Sequence, residues 1–121
     1  MVYLHDDILD SGLSALNAAD ELHICSDIPT SYAEAVSFSL GVKTSPALSG
    51  PLDGSPNGRK MMIEAFADGN VNVTGDAVWW ALLDVGGSRY LAGAEIDPEQ
   101  AVVATTSFSF SETNIRIPDA T

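Results

Sequence analysis

The sequence predicts a mainly β, single-domain antiparallel β-sandwich or barrel-like fold with one N-terminal helix and a long Pro/Gly-rich arm. Three observations carry that prediction. One apolar stripe of helical period stands at the start of the chain. After residue 20, short apolar segments recur, separated by turn residues at close spacing. Between these blocks lies a stretch dense in proline and glycine. The chain has 121 residues, 45% of them hydrophobic and 18% charged, which suits one domain over residues 1–121 around one core.

The helix is expected over residues 6–19. Asp6 or Asp7 caps it, and Asp10 places a carboxylate in the first turn, where the positive helix end favours it. Leu9, Leu13 and Leu16 follow at i, i+4 and i+7, while Gly12 weakens the helix by about 1 kcal/mol relative to alanine.

From there the pattern turns to strands. Leu22 to Ser26 is a short strand in which His23 and Cys25 share one face and read as core. Ser31 to Glu34 matches a capping box for one helical turn. Val36, Phe38, Leu40 and Val42 alternate with Ser37, Ser39 and Gly41, the pattern of a half-buried strand. Residues 44–58 form the arm, with Pro46, Pro51 and Pro56 interleaved with Gly50, Gly54 and Gly58. It ends in the turn Ser55-Pro56-Asn57-Gly58 and is expected to lie on a neighbour.

The β core is expected over 59–118. Arg59 to Ala67 is its first strand, Asp68-Gly69-Asn70 a hairpin turn and Val71 to Thr74 the return. Val85 to Ser88 turns the tryptophan strand back into Arg89 to Ala94, and Asp97-Pro98-Glu99 breaks the pattern again. Phe108 and Phe110 differ in parity from Ile115 and Ile117. A one-residue slip near Ser111 to Thr113 would put all four on one face.

The run Val78-Trp79-Trp80-Ala81-Leu82-Leu83 does not alternate, so both faces of its strand need cover. The N-terminal helix, the arm or another subunit could supply the second cover. A chain this small has little material to spare, which favours a partner subunit and makes Trp79 and Trp80 candidate interface residues.

Charge and chemistry exclude more than they identify. Seventeen acidic against five basic residues give a net charge of −12, a surface that repels phosphate backbones, so nucleic acid is not an expected partner. The N-terminus has no signal-peptide pattern, and no apolar run approaches the ~20 residues of a membrane span. One cysteine, Cys25, excludes an internal disulfide. Two histidines, His5 and His23, are too few to suggest a metal site or a catalytic base, and no nucleophile elbow or phosphate loop is present. No catalytic, cofactor or metal residue is assigned; the chain is not expected to be an enzyme or to carry a cofactor.

The segments "LHICSDIPTSYAEA", "GSPNGRKMMI", "WWALLDVGGSRYLAGAEI" and "FSFSETNIRIPDA", in this order, resemble a family of small virion proteins of tailed phages and prophages of alphaproteobacteria and their relatives. The family pattern has a "HICS…PTTYAEA"-like segment, "SPNGRK", "WALVD…LLAAG" and a terminal "IxIPDA". This chain departs from it at Trp79-Trp80 and in the Ser-Phe-Ser-Phe run near its end. The resemblance implies a non-enzymatic virion structural protein. Within that class it favours a decoration (cement) protein on the capsid exterior, made in the host cytoplasm, bound to the major capsid protein and trimeric. A tail, neck or fibre-associated module contacting a host glycan or another virion protein is the alternative. Arg59 and Lys60 are then candidates for charge pairing across the interface, with Pro46, Pro51 and Pro56 in the docking arm.

Overall fold

The structure, a computed structural model, describes residues 14–53 and 59–117. They form a mainly β fold with two sheets and one small helix. The chain divides into two compact units. Among the described residues, one comprises 14–18, 47–53, 59–65 and 111–117; the other comprises 19–46 and 66–110.

The larger unit is built on a six-stranded sheet of β1 (Glu21–Cys25), β2 (Ser39–Thr44), β5 (Phe66–Val71), β6 (Gly75–Asp84), β7 (Arg89–Val102) and β8 (Ser107–Phe110). Its spatial order is β7-β6-β1-β2-β5-β8, with every neighbouring pair antiparallel. The central strands are the most apolar. In β1 and β6 the residues Leu22, Cys25, Ala81, Leu82 and Leu83 are completely buried, because a strand flanked on both sides and covered on both faces has no solvent side.

One face of this sheet carries Cys25, Ala81 and Leu83, with Trp79 and Tyr90 packed beside them. The helix α1 (Tyr32–Ser37) covers that face, placing Ala35 in the cluster, with Tyr32 and Phe38 against it. The helix starts where the capping box was expected. Ser31 is extended and its Oγ accepts from the Glu34 amide at 3.2 Å. The reciprocal bond is displaced by one residue: Glu34 Oε1 accepts from the amide and the hydroxyl of Thr30. Those bonds, that of the Thr30 hydroxyl foremost, hold the Glu34 carboxyl below its ordinary range.

The opposite face carries Leu22, Ile24, Trp80 and Leu82, by the register Leu22↔Leu82 and Ile24↔Trp80. Phe110 meets Trp80 edge-on at 5.8 Å between ring centroids, and Phe66 stacks on Phe110 and meets Phe108 edge-on. In a flat sheet β6 and β8 would lie about 19 Å apart, four steps of ~4.8 Å. The sheet therefore curls enough for side chains of β6 and β8 to meet, although no ladder joins β8 to β7. Lys43 closes the rim: its Nζ lies 5.6 Å from the Phe66 ring centre and 3.0 Å from Asp68.

The smaller unit contains a three-stranded antiparallel sheet, β3 (Leu48–Asp53), β4 (Arg59–Ile63) and β9 (Thr113–Ile117), with β4 in the middle. Met61 and Ile63 of β4 are completely buried.

Five expectations are corrected. First, residues 48–53 of the expected arm are a strand, not a loop. Their ladder to β4 is irregular only between Ser49 and Leu52, around Gly50, at φ 124°, and Pro51, joined to it by a cis peptide. Proline has no N–H to give a ladder, so this is an edge strand. Second, Asp68-Gly69-Asn70 is no turn; Phe66–Val71 is one strand between β2 and β8. Gly69 is needed because the Phe108 ring lies where a Cβ would project. Third, Val36 belongs to α1 and is 47% exposed, so the alternating run begins only at β2. Fourth, Phe108 and Phe110 do not share a face with Ile115 and Ile117 through a bulge: β8 and β9 lie in different sheets. Fifth, the pattern does not break for good at Asp97-Pro98-Glu99, because β7 continues to Val102.

Of the expected helix over 6–19, residues 6–13 lie outside the described residues. What is described ends in a 3-10 turn, Ala15–Ala18, with Leu16 buried. The turn Ser55 to Gly58, Pro56 included, also lies outside them.

Candidate surface cleft

The double tryptophan divides its two rings between the faces of the sheet. Trp80 is 5% exposed and sits against Phe110. Trp79 is half-buried, on the α1 face, and its indole N–H donates to the hydroxyl of Tyr90 at 2.8 Å. Both rings find neighbours within their own unit: α1 and Tyr90 beside Trp79, and the phenylalanine cluster beside Trp80. Nearness in sequence does not make the two rings one surface.

Gly93 makes the Trp79–Tyr90 bond possible. It faces Ala81 across the β6–β7 ladder, and a Cβ there would run into the Tyr90 hydroxyl and the Trp79 indole nitrogen. The hairpin joining the strands is fastened from two sides. Asp84 Oδ1 accepts from the Gly87 amide, and its Oδ2 takes both Nε and Nη2 of Arg89 at 3.0 and 2.7 Å. Asp20 Oδ2 accepts from the amides of Val85 and Gly86. The Arg89 guanidinium, ahead of the Gly87 amide, holds the Asp84 carboxyl below its usual range.

Beyond Trp79 the β6–β7 register jumps. Trp79 faces Glu95 and Ala77 faces Gln100, so the segment from Ile96 to Glu99 bulges opposite Val78 alone. β7 is one of the two edge strands of the sheet, and Pro98 with the exposed Glu95 and Glu99 makes that edge unsuitable for adding another strand. The bulge opens a cleft of about 390 Å³ lined by Ile28, Val78, Trp79, Glu95, Pro98 and Glu99, with Ile96. Ile28, just after β1, is 55% exposed.

The other sequence candidates lie elsewhere. Arg59 and Lys60 open β4, both half-buried, with Lys60 facing Leu52 and Arg116 in the ladders. Arg59 is engaged within the chain; its Nη2 donates to the Pro51 carbonyl at 3.3 Å. Pro46 is buried after β2, and Pro51 is half-buried in β3. His23 and Cys25 are both buried, as expected for core. His23 lies 2.7 Å from Ser39 Oγ and 2.7 Å from Glu21 Oε1. Burial pushes the Cys25 thiol up to about 11.

Among the described residues no group of three or more metal-ligating side chains converges, and no helix is long and apolar enough to cross a membrane. Sequence reasoning missed Ile28, Glu95 and Glu99. Only the Asp97-Pro98-Glu99 break signalled that the edge strand departs from its ladder here. Comparison with protein-family models, curated proteins and solved structures finds no match.

Proposed function

We propose that this chain is a non-enzymatic structural protein of a tailed-phage virion, a decoration protein that binds the major capsid protein outside the head shell as a trimer. One observation carries the reading. Two of the four segments that resemble phage virion proteins meet in one packed core: Cys25 and Ala35 come from "LHICSDIPTSYAEA", and Ala81, Leu83 and Tyr90 from "WWALLDVGGSRYLAGAEI". Those two parts of the shared pattern fall on one folded framework instead of on scattered surface residues, while the other two segments supply β4, β8 and β9. The acidic chain, with Pro98, Glu95 and Glu99 guarding the β7 edge, suits a protein that coats a particle without adding strands at that edge. The sandwich or barrel-like closure belongs to the same reading.

Copy number in purified virions tests it. A band near equimolar with the major capsid protein, and earlier heat disruption of particles lacking the chain, are the expected results. Absence from the particles overturns the reading. Substituting Arg59 and Lys60 with Glu should lower particle occupancy if these residues meet acidic groups on the shell. A second reading, a tail or fibre module contacting a host glycan, is favoured by Trp79 lining an open cleft beside carboxylates, and a few copies per particle would support it.

A further inference from the structure

We infer that the cleft at the β7 bulge receives an arginine side chain presented by a partner protein. The lining residues are of two kinds. Ile28, Val78, Pro98 and Trp79 give apolar surface, and the indole N–H of Trp79, its only polar group, is already bonded to Tyr90. That bond also holds the ring in place, so no side-chain freedom is lost there when a ligand arrives. Glu95 and Glu99 also line the cleft, and neither has an ion-pair partner among the described residues.

An arginine matches both kinds of lining. Its methylene stem and guanidinium plane pack on apolar and aromatic surface, while its fork of N–H donors suits carboxylates. None of the residues lining the cleft is cationic, and the chain carries a net charge of −12, so a cation is drawn to the site and a phosphate is repelled. A neutral sugar could stack on the indole but would leave the charge of the two carboxylates unanswered. At about 390 Å³ the opening suits one long side chain with its flanking backbone. The inference deepens the function proposed above by giving the contact a shell protein would make, and it rests on that reading only for the partner's identity.

The test uses the whole chain and a short acetylated, amidated peptide with a central arginine, followed through the indole N–H resonances by NMR. The controls are the same peptide with citrulline, which keeps the shape and loses the charge, and a neutral oligosaccharide. The expected result is a saturable shift of the Trp79 signal with arginine and none with citrulline. Affinity should fall about five-fold in the Glu95→Gln/Glu99→Gln double variant, the scale of an exposed charge pair. No response to arginine, equal response to citrulline, or unchanged affinity in the double variant overturns the inference. A response to the oligosaccharide alone also overturns it and assigns the cleft to a glycan. Should the double variant not fold, the arginine–citrulline comparison still decides. Absence of the chain from virions would remove the proposed function and leave the peptide result standing; failure of the peptide experiment would leave the copy-number result standing.

Discussion

The indole N–H of Trp79 donates to the Tyr90 hydroxyl at 2.8 Å across the face of Gly93, tying β6 to β7 through side chains where the backbone ladder leaves room for nothing larger than hydrogen. This contact joins the buried core under α1 to the wall of the cleft, so its removal should be felt in both places.

Tyr90→Phe and Trp79→Phe should each lower stability, with about 1 kcal/mol of the loss belonging to the bond itself. Urea unfolding of the two single variants and the double variant isolates that coupling. If the two losses simply add, the bond contributes nothing to stability.

Gly93→Ala should cost more, about 1–3 kcal/mol, because a methyl group meets the Tyr90 hydroxyl, the Trp79 nitrogen and the Trp80 carbonyl together. In a Tyr90→Phe background the penalty should shrink, since the nearest of those atoms is then gone. An equal penalty in both backgrounds would place the strain in the backbone alone.

Stability should fall in acid. Asp84, bonded to Arg89, and Asp68, bonded to Lys43, both titrate lower when folded than carboxylates ordinarily do. A depressed folded pKa gives stability that is present above the unfolded range, about 4, and is lost as pH falls through the lower folded value. Thermal unfolding midpoints should therefore hold steady near neutrality and drop below about pH 4. Asp84→Asn should flatten that drop, and an unchanged acid profile in the variant would remove Asp84 from the account.

Cys25 should resist alkylation. Its thiol is buried and pushed up to about 11, so little thiolate forms near pH 8 and reagent cannot reach it. Iodoacetamide should modify the native chain slowly and the guanidinium-unfolded chain at once. Rapid labelling of the native chain would mean that the face beneath α1 opens readily.

What could be read from the sequence was local. The strand read at Leu22–Ser26 and found at Glu21–Cys25, the cap at Ser31 and the turn at Val85–Ser88 each depend on residues a few positions apart, and each appears in the structure. The half-buried Trp79 was also legible as a residue of interest, and Pro98 as an interruption. Which strand lies beside which is set by ladders between residues far apart in the chain, and the sequence contains no record of them. Hence Phe66–Val71 looked like a hairpin, Leu48–Asp53 like a loop, and β8 and β9 like one face of one sheet. An alternating pattern says that a strand has two faces; it does not say what covers them. Only the tertiary structure decided that α1 covers the Trp79 face, that Phe110 of β8 meets Trp80, and that Ile28 and Glu95 come to share one cleft. The physical reason is register: the pairing of Trp79 with Glu95, and the bulge that follows it, is a property of two strands together and of neither alone.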